Sequence, residues 1–123
     1  MPHSKFEVCQ LEAKLKLHKS QAIHQNLQAD SFRTLAAGYA FMSDSHWLKV
    51  QWYRLKLETN SDSTLHLHYE LKARYHMLQA EHHREHFTYC RWMAIEHGKK
   101  AEAHEMLSDY LQSKVAKRQA VGK

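Results

Sequence analysis

The chain has 123 residues, is 43% hydrophobic and 25% charged, and carries a net charge of +5 with histidine neutral, at a pI of about 9.3. That length suits one domain over 1–123, and that hydrophobic share is enough for a core, which excludes global disorder. One proline and three glycines are too few turn residues for a β-sandwich or barrel.

The longest run without a polar side chain, 35–42, falls short of the ~20 residues a membrane span needs. The opening residues show no basic-then-apolar signal peptide. Cys9 and Cys90 are isolated in apolar surroundings, as in proteins that keep their thiols reduced. The expectation is a cytoplasmic protein that makes no membrane contact.

Ser4-Lys5-Phe6-Glu7 has the form of a capping box. The helix it would open runs to about residue 28, with Val8, Leu11, Leu15 and Ala22 on one stripe. Its acids, Glu7 and Glu12, precede Lys14, Lys16 and Lys19, as the helix dipole prefers. Asp30 or Ser31 can cap a second helix, whose stripe is Phe32, Ala36, Tyr39, Ser43, His46, Val50, Tyr53 and Leu57. The cap formers Ser43, Asp44 and Ser45 predict a kink or a break within it. Thr59-Asn60-Ser61-Asp62 predicts a turn.

A long central helix over about 63–97 follows, without proline or glycine and with seven of the twelve histidines. One seam on it, Tyr69, Ala73, His76, Ala80, His83, Phe87, Cys90 and Ala94, advances in alternating steps of four and three. That is an unbroken heptad pattern, which keeps one side of a helix against a partner. A second seam on the other side holds Leu67, Leu71, Tyr75, Leu78, His82, Tyr89 and Met93. Two apolar sides imply neighbours on both, from a bundle or from a second subunit. Gly98 is placed to end this helix, and a last helix runs from Lys99 to about Gln119.

The expected fold is mainly α, a compact bundle of four or five helices around the central one. The alternative is α+β. Tyr53, Leu55, Leu57 and Leu65, Leu67, Tyr69 each alternate with polar residues, so a β-hairpin at about 47–71 could place every apolar residue on one face.

Chemistry-bearing motifs are few. His82-His83-Arg84-Glu85-His86 matches H-x-x-E-H and so resembles the inverted zinc-protease pattern, which implies two imidazoles on a metal and a carboxylate base. The resemblance covers five residues, and burial on the two seams is the competing reading for His82 and His83. His66-x-x-x-Glu70, His82-x-x-x-His86 and His104-x-x-x-x-Asp109 resemble, in order and spacing, the ligand set of hemerythrin. That family draws such groups from separate helices of a four-helix bundle around two irons, whereas nothing breaks the chain between Glu70 and His82. There is no glycine-rich phosphate loop, and Cys90 lies on a packing seam, so no enzyme, cofactor or metal is expected.

Trp47, Trp52 and Tyr53 interleave with Lys49, Arg54 and Lys56, and the C-terminal segment adds Lys114, Lys117 and Arg118. Rings beside cations suit nucleic-acid binding. The leading expectation is a basic, non-catalytic accessory protein that contacts nucleic acid or a nucleoprotein complex through those six cations. The alternative is an adaptor or inhibitor that binds a protein, or a second copy of itself, through its aromatic and histidine surface. A metal-binding bundle comes third.

Overall fold

The computed structural model describes residues 5–121. They form two α-helices, α1 (Lys5–Thr59) and α2 (Ser63–Val121), joined at 60–62. The expected capping box rests on Ser4, which lies outside the described residues.

The chain divides into two compact units, unit 1 (Met1–Ser31 with Met93–Lys123) and unit 2 (Phe32–Trp92). Each is an antiparallel pair of helical segments. In unit 2 the contacts Tyr53–Tyr69, His46–His76 and Tyr39–His83 retreat by a heptad on α1 as they advance by one on α2. In unit 1, His18–His104 and Gln25–His97 do the same.

These observations replace the expected bundle of four or five helices. Asp30, Ser31, Ser43, Asp44, Ser45 and Gly98 all lie inside continuous helix. The reason is visible in the seams. On α1 the buried positions Leu15, Ala22, Ala29, Ala36, Ser43 and Val50 recur every seventh residue. The stripes read as belonging to two helices are therefore one uninterrupted heptad seam. On α2 the seam that starts at Tyr69 runs on past Gly98 through Ala101, Ser108, Leu111 and Val115, all buried. A cap former is only permissive, and tertiary packing along an unbroken seam outweighs it.

The β-hairpin at 47–71 is not formed; no strand occurs among the described residues. Leu, Lys, Glu and Arg around the turn favour helix, and the alternation there spans too few residues to compete with the heptads. The turn itself is where expected. Asp62 caps α2, its carboxylate accepting from the backbone N–H of Thr64 at 2.9 Å and of Leu65 at 3.4 Å. Asn60 Oδ1 accepts from the Asp62 N–H at 2.9 Å. The Asn60 N–H closes the end of α1 on the Lys56 carbonyl at 3.0 Å.

Register has local causes. In unit 2 the buried Ser43 hydroxyl donates to the Ala80 carbonyl across the seam at 2.9 Å. In unit 1 a row of polar contacts, Gln119–Glu12, Lys19–Gln112 and Asn26–Glu105, runs along one edge of the seam with heptad spacing.

Two substitutions test this packing. Ala80 is fully buried, so Ala80→Leu overfills the seam and is expected to cost about 1–3 kcal/mol, read as a lower thermal midpoint. Gly38 lies within α1, and a Cβ added there would meet nothing within 4 Å. Gly38→Ala is expected to stabilise by roughly 0.5–1 kcal/mol and to raise the midpoint by a few degrees.

Candidate functional site

Two features stand out, a column of rings inside unit 2 and apolar rows on the outer faces of both units. The column follows from putting aromatic and imidazole side chains at the heptad positions between the small residues. His86 stacks on Tyr39 with centroids 4.9 Å apart, and Tyr39 lies 6.2 Å from His83. His83 stacks on His46 at 5.4 Å, and His46 meets His76 at 5.0 Å. His76 stacks on Tyr53 at 5.7 Å, and Tyr53 meets Tyr69 at 6.0 Å.

The Nδ1 atoms of His46 and His76 are 2.8 Å apart, a hydrogen bond that needs one ring to donate and the other to accept. His83 Nδ1 is buried and has no hydrogen-bond partner. Burial, reinforced by the positive charge of His83 and Lys49, lowers the His46 pKa below the ordinary 6.5. Burial, then His46, Lys49 and Lys72, lowers that of His76.

Unit 1 has a shorter version of the same arrangement. His18 and His104 approach with Nδ1 atoms 2.9 Å apart, and His97 Nδ1 meets Gln25 Oε1 at 2.6 Å.

The large apolar side chains are mostly outside. On α1 in unit 2, Phe41, Leu48 and Leu55 repeat every seventh residue, 59–74% exposed. On α2 in unit 2, Leu67, Leu71, Tyr75, Leu78, Tyr89 and Trp92 are all more than half exposed. The second seam of the central helix is therefore an open face from Leu67 to Tyr89, with Met93 at its end half-buried. Within unit 2 these rows stand opposite the shared seam on their own helices, so they face away from each other.

The sequence-predicted cations divide between the units. In unit 2 Lys56 Nζ lies 5.2 Å above the Trp52 ring, Arg54 approaches the Met77 sulfur at 3.9 Å, and Lys49 is exposed. In unit 1 Lys114, Lys117 and Arg118 line one surface hollow with Tyr110, Ser113 and Val121. Lys114 Nζ lies 5.0 Å above Tyr110, and Arg118 reaches Glu7 at 3.9 Å.

The H-x-x-E-H motif is split by the helix. His83 turns into the ring column, whereas His82 is exposed, and the His82 and His86 rings meet edge-on at 4.6 Å. Glu85 lines a shallow outer hollow with Glu81, Arg84 and Thr88. No group of three or more His, Cys, Asp or Glu side chains converges to hold a metal among the described residues. Glu70 and His82 share one helix, so the hemerythrin-like arrangement is not built.

Sequence reasoning placed His46, His76 and His83 on seams but did not pair them. The signal was there, because sliding the α1 heptads against those of α2 about the turn at 60–62 puts His46 opposite His76. Similarity adds no second source: no family model, curated protein or solved structure matches the chain.

Proposed function

We propose that the chain is a non-catalytic assembly module whose helix pairs pack against helices of other protein chains through their outer apolar faces. One observation carries this reading: the buried positions of each unit are mostly Ala and Ser, while most of the chain's Leu side chains, with Phe41, Trp52, Tyr75, Tyr89 and Trp92, are exposed. Burying a large apolar side chain contributes ~1.5–3 kcal/mol, several times what a buried Ala methyl supplies. Most of the chain's hydrophobic stabilisation is therefore still to be gained on the outer faces. Exposed apolar rows of this extent mark interaction sites.

The fitting partner is an amphipathic helix with large aliphatic residues at heptad spacing, since that is what a helical row accommodates. A net charge of +5 favours an acidic rim around the partner's apolar stripe. A second copy of this chain also offers such rows, which makes self-association the simplest form of the assembly.

A second reading has its own observation. Lys114, Lys117 and Arg118 gather in one hollow beside Tyr110, a grouping of cations and a ring that suits a phosphate backbone.

Sedimentation of the chain from about 1 to 200 μM tests the first reading in its simplest form. Mass is expected to rise with concentration. The double substitution Leu71→Ser, Leu78→Ser, at exposed positions, is expected to weaken association at least tenfold while leaving helix content in place. A chain that stays monomeric and captures no helical partner through these faces would rule it out.

For the second reading, anisotropy titrations with short DNA and RNA at about 50 and 200 mM salt are decisive, because each phosphate contact steepens the salt dependence. Binding should weaken more than tenfold over that range. Lys114→Ala with Lys117→Ala should remove most of it; no binding at the lower salt ends that reading.

A further inference from the structure

We propose that the ring column of unit 2 is an acid-released clasp: the His46–His76 hydrogen bond holds the two helical segments together until both rings are charged, and that second protonation drives the segments apart. This goes beyond the assembly reading and does not depend on it, because it concerns the seam rather than the outer faces.

The hydrogen-bond geometry comes first. With Nδ1 atoms 2.8 Å apart, His46 and His76 can bond only if one Nδ1 carries a proton and the other does not. The pair is therefore fixed as two neutral rings of opposite tautomer, or as one neutral and one charged ring. When both are charged, N–H faces N–H at that distance and the bond becomes a repulsion.

His83 adds to the effect. It stacks on His46 at 5.4 Å and 18°, with its Nδ1 buried and unpartnered, so a charge on it lies directly against the pair.

Among the described residues, no acid stands among the groups that act on His46 and His76. From α1 the column meets Tyr39, Lys49 and Tyr53, and from α2 it meets Lys72, Tyr75 and His86. Those groups are cations, phenols and another imidazole. The acids Asp44, Glu70, Glu81 and Glu85 are exposed.

The sign of the pH dependence follows. Burial and the neighbouring positive charges lower the pKa of His46 and His76 in the folded chain below the 6.5 of a free imidazole. The unfolded chain then binds more protons as pH drops through 6.5, so the stabilisation is complete above that pH and is lost below it. Between the folded and unfolded pKa values each such histidine raises the unfolding constant by at most tenfold per pH unit.

Unit 1 shows what a non-titrating partner looks like. Gln25 Oε1 accepts from His97 at 2.6 Å, and an amide oxygen accepts whether the imidazole is neutral or charged.

The test compares the full-length chain with His46→Gln, which imitates that pair. Thermal unfolding is followed by far-UV circular dichroism between pH 8 and 5 at constant ionic strength. Histidines outside the ring column contribute equally to both proteins, so the difference isolates the clasp. The wild-type unfolding constant should rise more steeply below pH 6.5 than that of the variant, by up to one extra factor of ten per pH unit. Equal slopes in two proteins that both fold at pH 8 would overturn the proposal.

If the variant does not fold at pH 8, imidazole nitrogen NMR on the wild type decides instead. One Nδ1–H and one Nε2–H ring for His46 and His76, titrating below 6.5, supports the clasp. Two rings of the same tautomer, or titration at or above 6.5, overturns it.

Discussion

The small residues at every seventh position of the seams set how closely the helical segments of each unit approach, and the other features follow from that approach. Ala22, Ala29, Ala36 and Ser43 on α1, and Ala73, Ala80, Ala94 and Ala101 on α2, are all buried. Interaxial distance depends on the side chains at the contact, so a seam of methyl groups brings backbones near enough for a serine hydroxyl to reach a carbonyl across it. The Ser43–Ala80 bond is that contact. In unit 2 imidazole and phenol rings fill the larger positions, some stacked and some tilted.

Such a seam fixes register more than it supplies stability. Alanine buries little apolar area, whereas the Ser43–Ala80 bond and the His46–His76 pair each need their atoms at hydrogen-bond distance. A heptad slip in unit 2 would separate Ser43 from Ala80 and set His46 opposite His83 or Tyr69 instead of His76. The exposed ion pairs Arg74–Glu70 and Lys99–Glu96 lie within one helix and add only ~0.3–0.5 kcal/mol each. The chain thus specifies its internal alignment with polar and small groups and leaves its large apolar side chains on the other faces.

That division explains what could be read from the sequence. The heptad seam from Tyr69 to Ala94 was fully legible because its spacing never breaks, and so was the turn at 60–62, where Asp62 and Asn60 carry their own hydrogen-bonding chemistry. The helix ends were not legible. Ser43, Asp44, Ser45 and Gly98 have the chemistry of boundaries, but the first three can also face an intervening seam or solvent within a helix, and glycine in a helix costs only ~1 kcal/mol. What overrules such local signals is the continuation of the heptads through them, and that shows only when the whole chain is aligned on a single period. The ring column was half legible: its members were on the predicted seams, but their pairing needs the antiparallel register that the turn imposes.

The second seam on the central helix carries the argument furthest. A heptad seam and an apolar row on opposite sides of one helix cannot both be buried by a single antiparallel partner, because that partner covers about one side. The bundle expectation resolved this by adding helices from within the chain, but the chain spends its length on two long helices, so none are left over within unit 2. The row from Leu67 to Trp92 stays open there, as does the row through Phe41, Leu48 and Leu55 on α1. Two open rows on opposite sides of one helix pair allow neighbours on both. An interface that repeats from one face to the other either closes into a ring or extends as a filament, according to the rotation between successive copies.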